Sequence, residues 1–295
     1  MTAPAGTGAV DGEVGREPFG VRLAAAMAAH GPLCVGIDPH PALLADWGLT
    51  DDADGLRAFA STVMAAVGGR VAAVKPQAAL FERHGSAGVA VLEDVVAEGR
   101  RTGTLVVVDA KRGDIGSTME GYADAYLRDG SPLAGDALTV SPYLGFGSLD
   151  PAVDAALATG RGLFVLCLTS NKEGPEVQHA RTADGSTVAA TIAARAAALN
   201  AGVQPMGSIG LVVGATVGDA AARTGTNLTA VNGPLLAPGV GAQGAGPREL
   251  TAVFGAARRQ VLASSSRGVL AAGPDVERLR TAARRAADEA AAALA

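Results

Sequence analysis

Aromatic residues make up 3% of this 295-residue chain, with one Trp, three Tyr and six Phe. That is too few for the stacking platforms on which single-stranded nucleic acid is held. No excess of base compensates: 24 Lys and Arg stand against 29 Asp and Glu, for a net charge of −5. Nucleic acid is therefore not an expected partner, although a small anion, which needs only one or two local cations, remains compatible. Cysteine is nearly absent. Cys34 in "PLCVGID" and Cys167 in "GLFVLCLTS" sit inside apolar runs and are expected to be buried, reduced thiols. Two cysteines support neither a disulfide framework nor a metal set. The four histidines (His30, His40, His84 and His179) show no H-x-x-x-H or H-E pairing and are expected at the surface or in supporting positions. No apolar run approaches membrane-spanning length, so no membrane partner is expected. The opening "MTAPAGTGAVDGEVGREPFG" lacks the basic-then-apolar order of a secretory signal. Residues 1–16 are expected to form a disordered leader and 17–295 a single domain of a soluble, cytoplasmic protein.

What the chain has is apolar bulk, at 48% hydrophobic residues. With so few aromatics, Ala, Val and Leu must fill the core. Eight β-rich runs recur: "PLCVGID", "VAAVKP", "TLVVVDA", "DALTVSP", "GLFVLCLTS", "IGLVVGA", "GPLLAPGV" and "QVLASSS". Each is followed by an Ala-rich stretch of helical spacing, and one further helix, at about 17–30, precedes the first run. Near-continuous apolar strands alternating with helices imply a parallel sheet covered on its outer face. Eight such units fit a (β/α)8 TIM barrel with an extra N-terminal helix, a fold of about 250 residues. An open doubly wound sheet is the competing architecture, but no G-x-G-x-x-G follows the first strand.

In a (β/α)8 barrel, chemistry gathers at the C-terminal strand ends, and the polar residues of this chain gather there too. The strands end in Asp38, in Lys75, in Asp109 with Lys111, in Ser141, in Thr169 with Ser170, and in "SSSRG" with Arg267. Each has an ordinary explanation alone: a helix N-cap for Asp38, a snorkelling side chain for Lys75. Six on one rim call for a joint explanation. Asp109 and Lys111, two apart, would share a face of a regular strand and form an ion pair that Lys75 could reach from the neighbouring strand. Such alternation keeps each lysine protonated and the carboxylate ionised. A purely structural network explains it less well than function does, because buried ion pairs stabilise poorly compared with apolar packing. The Gly/Ser-rich turns "PGVGAQGAG" and "SSSRG" follow strands seven and eight, the usual phosphate site of this fold. Arg267 would supply a bidentate clamp there.

"VVVDAKRGDIGST", residues 106–118, resembles the D-x-K-x-x-D-I-x-x-T signature of the orotidine 5′-phosphate decarboxylase family. "VGIDP", "VAAVKPQ", "TVSPYLG", "APGVGAQG" and "SSSRG" resemble that family's other strand ends in order, over about residues 17–285. "KPQAALFERHG" and the length resemble its longer bacterial subgroup. The resemblance implies cofactor-free conversion of orotidine 5′-monophosphate (OMP) to UMP and CO2. Lys111 would be the proton donor to C6, Asp109 would lie beside the departing carboxylate, and Lys75 would complete the charge chain. With Asp38, Lys75 would also contact the ribose; Ser141 would hold the pyrimidine edge. Gln243, Arg267 and the backbone around Gly268 would hold the phosphate. Asp114, Ile115 and Thr118 would serve the neighbouring subunit's site, implying a homodimer with shared active sites. No metal is implied. Relatives with the same barrel, the 3-keto-gulonate-6-phosphate decarboxylase and hexulose-6-phosphate synthase group, hold Mg2+ partly through an acid at the second strand end. Here that position is Lys75. A Mg2+-dependent sugar-phosphate decarboxylase or aldolase and a catalytically silent phosphate-binding barrel are the alternatives. The polar stretch 171–186, with 240–248, is expected to close over the ligand as a lid. Arg112 is expected to be structural or solvent-facing.

Overall fold

The computed structural model describes residues 15–240 and 246–295. Eight parallel strands close into a barrel in chain order. They are β1 (Leu33–Ile37), β2 (Ala73–Pro76), β3 (Leu105–Arg112), β4 (Ala137–Val140), β5 (Gly162–Leu168), β6 (Ile209–Val213), β7 (Leu235–Pro238) and β8 (Val261–Ser265). Closure comes from β1 pairing with β8, Leu33 opposite Ala263. Helix α1 (Phe19–His30) precedes the barrel. The crossovers carry α2 (Pro41–Asp46), α3 (Ala53–Val67), α4 (Ala78–Glu82), α5 (Gly85–Thr102), α6 (Gly116–Leu127), α7 (Asp150–Ala158), α8 (Gly174–Gln178), α9 (Val188–Leu199), α10 (Ala220–Thr224) and α11 (Pro247–Phe254). After β8 come α12 (Arg267–Leu270) and α13 (Val276–Leu294). The (β/α)8 architecture and the N-terminal helix are those expected from the alternating runs. No described helix is long and apolar enough to cross a membrane.

The apolar runs read as strands because both of their faces are buried. Val35, Val74, Val106, Val108 and Val165 point outward into a shell shared with the helices. Inward-pointing residues form a separate cluster, including Cys34, Ala73, Val107, Ala137, Phe164 and Leu236. Most of these inner side chains are small, and α1 makes up the missing volume from below. Phe19, fully buried, meets Phe164 edge-on with ring centroids 5.9 Å apart, a favoured aromatic geometry. Gly20 lets α1 approach this closely: a Cβ there would lie 2.3 Å from the carbonyl oxygens of both Met206 and Gly207.

Arg22 ties the same helix to the strand starts. It donates to Asp136 Oδ1 at 2.5 Å and to the Gly160 carbonyl at 2.9 Å. Arg16 also reaches Asp136, at 3.7 Å. Arg16, the last residue of the expected leader, thus reaches the barrel floor, and residues 1–14 of that expectation lie outside the described ones. Cys34 and Cys167 are buried and unpaired, as expected, and burial pushes both thiols up to about 12.

All the α1 contacts lie at the N-terminal ends of the strands, away from the polar rim. Phe19→Ala is therefore expected to remove about 3–5 kcal/mol of stability, read as a lowered midpoint in urea unfolding. The ligand affinity of the folded fraction should be unchanged.

Candidate active site

At the C-terminal strand ends lies a cavity of about 750 Å³. Its floor is apolar, from Leu166, Val212 and Leu236. One wall carries Asp38, Lys75, Asp109, Lys111 and Thr139; an adjoining wall, continuous through the β1–β8 pairing, carries Gly239, Ser264, Ser265, Ser266 and Arg267. Gly36 brings the two walls together, because a Cβ on it would lie 1.9 Å from Ser266 Oγ.

The Asp109 carboxylate is 8% exposed and takes four donors. Lys75 Nζ donates to Oδ2 at 2.6 Å, and Lys111 Nζ to Oδ1 at 2.6 Å. Thr139 Oγ1 donates to Oδ1 at 2.8 Å. Gln77, its amide assigned from the surrounding hydrogen bonds, donates to Oδ2 at 2.6 Å. Burial alone would raise the carboxyl's pKa. Lys75 and Lys111, with their hydrogen bonds, reverse that and hold it down at about 2. Burial works against the charge of Lys75 as well, but Asp109 and then Asp38 outweigh it and raise its pKa above the ordinary lysine range. The lysines differ in access: the Lys75 side chain is 7% exposed and that of Lys111 43%. Solvent or a ligand in the cavity therefore meets Lys111 first, while Lys75 lies deeper on the same wall. Asp38 lines the cavity, and its Oδ1 is buried without a protein partner.

Lys111 reaches this position by a route that strand alternation does not describe. Its φ is +49°, so β3 is not regular there. Pairing with β4 jumps from Val108–Leu138 to Arg112–Val140. Three β3 residues, 109–111, thus oppose the single residue 139, a bulge that re-aims side chains as bulges beside active sites do. The expected ion pair is present, but a left-handed residue in a bulge makes it. Arg112 is structural: its guanidinium sits 5.6 Å from the ring centroids of both Tyr122 and Tyr126, and it bonds Glu82. It thereby anchors the end of β3 to α4 and α6.

Other expected residues fall differently. Arg267 is on the cavity wall. Gly268 instead borders a neighbouring crevice between β8 and α13. Among the described residues, β4 gives the wall Thr139 and not Ser141, which is half-buried with its N–H donated to the Arg112 carbonyl. Asp114, Ile115 and Thr118 lie off the wall at the start of α6, where Asp114 Oδ1 accepts from the Ile115 N–H at 2.8 Å. Gln243 lies outside the described residues, as does most of 240–248. Stretch 171–186 folds through α8, where Gln178 is bonded twice to Thr169. His40, expected to be peripheral, is on the wall at the entry to α2. Thr139 and Gln77 were missed, and their one signal is a polar side chain in a run otherwise built to be buried.

Fold and mouth together define a (β/α)8-barrel enzyme built around a buried lysine–aspartate–lysine array. The model of the orotidine 5′-phosphate decarboxylase / HUMPS family matches residues 31–282, and the chain belongs to that family. It is 62% identical over 273 residues to the orotidine 5′-phosphate decarboxylase of Streptomyces coelicolor, covering 92% of this chain and 97% of that protein. It is 61% identical to that of Salinispora arenicola, covering 94% and 99%. A solved structure from Streptomyces avermitilis assigned to the same activity is 61% identical, covers 97% of this chain and 99% of its own, and superposes with a TM-score of 0.92.

The array has a definite pH signature. Asp109's pKa is lowered on folding, so its contribution to stability is present above the unfolded value of about 3.9 and is lost as pH falls toward about 2. Lys75's is raised, so its contribution is complete below about 10.4 and is lost only as pH rises through the raised value. Asp109→Asn would leave Lys75 charged and poorly paired, a change expected to cost about 3–5 kcal/mol at pH 7. The loss should shrink at pH 10, where the lysine can shed its proton. Urea unfolding of both proteins at the two pH values measures the difference; an equal loss at both would count against the assignment.

Proposed function

We propose that this chain is a cofactor-independent orotidine 5′-phosphate decarboxylase that converts OMP to UMP and CO2. The observation that carries the reading is Lys75 within 2.6 Å of Asp109 Oδ2. A fixed ammonium fills the strand-end position at which a Mg2+-dependent relative would need an acid. The family assignment and the relatives' names support the same reading.

The chemistry follows from charge. Breaking the bond between C6 and the carboxylate leaves its electron pair on C6, with no conjugated sink. Preorganised positive charge beside that carbon lowers the barrier, and the low dielectric of a closed site makes it count for more. Lys111 supplies the charge and then the proton, through a new C6–H bond. Its 43% exposure lets solvent restore the ammonium once UMP leaves. Asp109 holds Lys111 in place and faces the departing carboxylate, while Lys75 keeps Asp109 ionised. Asp38, with its unpartnered Oδ1, and Lys75 receive the ribose hydroxyls. By the family resemblance Ser141 is assigned the pyrimidine edge, a role that requires its side chain to turn inward from beside the wall. Arg267, with Gln243 and the backbone at Gly268, is assigned the phosphate. Binding energy from the phosphate, remote from C6, can then assemble the charged end of the site, with 171–186 closing as a lid.

The working form in this reading is a homodimer with shared sites. Asp114, Ile115 and Thr118 are assigned to the partner's cavity, and the 62% exposure of Ile115 leaves it free for such a contact. Two buried, unpaired cysteines suit the reducing cytoplasm.

Incubated with OMP and EDTA, the protein should deplete the absorbance of the 6-carboxypyrimidine at an undiminished rate. Abolition by EDTA would favour the metal-dependent alternative, and binding without turnover a silent barrel. Lys111→Ala should lower kcat by several orders of magnitude in the same assay while the unfolding transition persists.

Shared sites make a separate prediction. Mixing Asp114→Ala with Lys111→Ala chains, each inactive, should restore turnover as heterodimers form with one intact site. Subunit exchange without recovery would confine each site to one chain.

A further inference from the structure

Thr139 is out of keeping with its strand. Its neighbours in β4 are Ala137, Leu138 and Val140, and it is 1% exposed. A hydroxyl that deep must be paired, and this one is paired twice. The Lys111 N–H, which can only give a proton, donates to Oγ1 at 2.9 Å. The ionised Asp109 carboxylate, which can only accept, receives the hydroxyl proton on Oδ1 at 2.8 Å. The chemistry of the partners thus leaves the hydroxyl one orientation. Thr139 is also the single residue that faces the three-residue bulge of β3. Within that bulge Lys111 adopts φ +49°, a conformation that non-glycine residues hold only when their surroundings impose it. Where the β3–β4 ladder is interrupted, the Thr139 side chain takes the place of a backbone acceptor for Lys111.

We propose that Thr139 is a positioning residue of the decarboxylation: it pins the left-handed turn at Lys111 and the facing Asp109 oxygen together, so that the ammonium is presented to C6 in one arrangement. This rests on the decarboxylase reading. It concerns the placement of the proton donor and not the binding of the nucleotide, since Thr139, 1% exposed at the cavity wall, spends its hydroxyl on Lys111 and Asp109.

The test compares Thr139→Val, which keeps the shape and loses the hydroxyl, with Thr139→Ser, which does the reverse. In steady-state assays of the full chain with OMP, Thr139→Val should lower kcat about 10²-fold, the scale of effect expected when a reacting group is misplaced by about an ångström. KM should change little, as for an interaction used in the transition state. Thr139→Ser should stay within a few-fold of the parent. In a crystal structure of Thr139→Val, Lys111 should have left the left-handed region. An unchanged kcat in Thr139→Val overturns the proposal, as does an equal fall in Val and Ser, which would make the general packing of the site, and not the hydroxyl, the cause. If the Val variant does not fold, Thr139→Ala against Thr139→Ser makes the same comparison, because both lack the methyl. If the parent itself does not turn OMP over, the decarboxylase reading fails, and the Lys111 conformation in the variant crystal still decides whether Thr139 holds the turn.

Discussion

A carboxylate buried beneath the mouth of a barrel is tolerable only while its lone pairs are occupied, because an unpaired ion in a dry interior costs more than packing returns. Asp109 meets that condition with donors from three neighbouring parts of the barrel. Lys75 and Gln77 come from β2 and its exit, Lys111 from β3 itself and Thr139 from β4. Three of these four donors cannot be supplied without the parallel register that sets β2, β3 and β4 side by side, so strand pairing and ionisation of the site are a single structural problem. The same arrangement separates two lysines that sequence treats alike. One is largely enclosed and chiefly serves the carboxylate; the other opens widely onto the cavity.

The two ends of the barrel carry different burdens. Below, Phe19 and Phe164 fill the interior, and Arg22 with Asp136 fastens the helix that brings Phe19 in. Above, the inner layer gives way to charge, an open cavity and a bulged strand. A floor that is fully packed can absorb the cost of a rim that is not, which is how (β/α)8 folds keep stability and chemistry at opposite ends.

Much of this was legible in the chain. The strands announce themselves because parallel strands buried on both faces are written as continuous apolar runs. The active rim announces itself because charge ends those runs. What escaped is instructive. Thr139 is β-branched, and its type is at home in a strand whether or not its hydroxyl works, so the run "DALTVSP" hides it. Ser141 and Gly268 follow the strands in order, but the final turn of the backbone decides which strand-end residue looks into the cavity, and order along the chain does not record that turn. For Asp109 and Lys111 simple alternation predicted the right contact through the wrong geometry, since a bulge has no composition of its own when its left-handed residue is a lysine and not a glycine.

That left-handed lysine has a consequence for how the chain can change. Glycine at position 111 would relieve the backbone of about 1–2 kcal/mol of steric cost, and it would leave Asp109 with Lys75, Gln77 and Thr139 as donors. It would also remove the ammonium bonded to Asp109 Oδ1 and add conformational freedom to the unfolded chain, so the backbone gain is set against a lost ion pair. Position 111 thus marks where the preference of the backbone and the task of the side chain part company on a single angle.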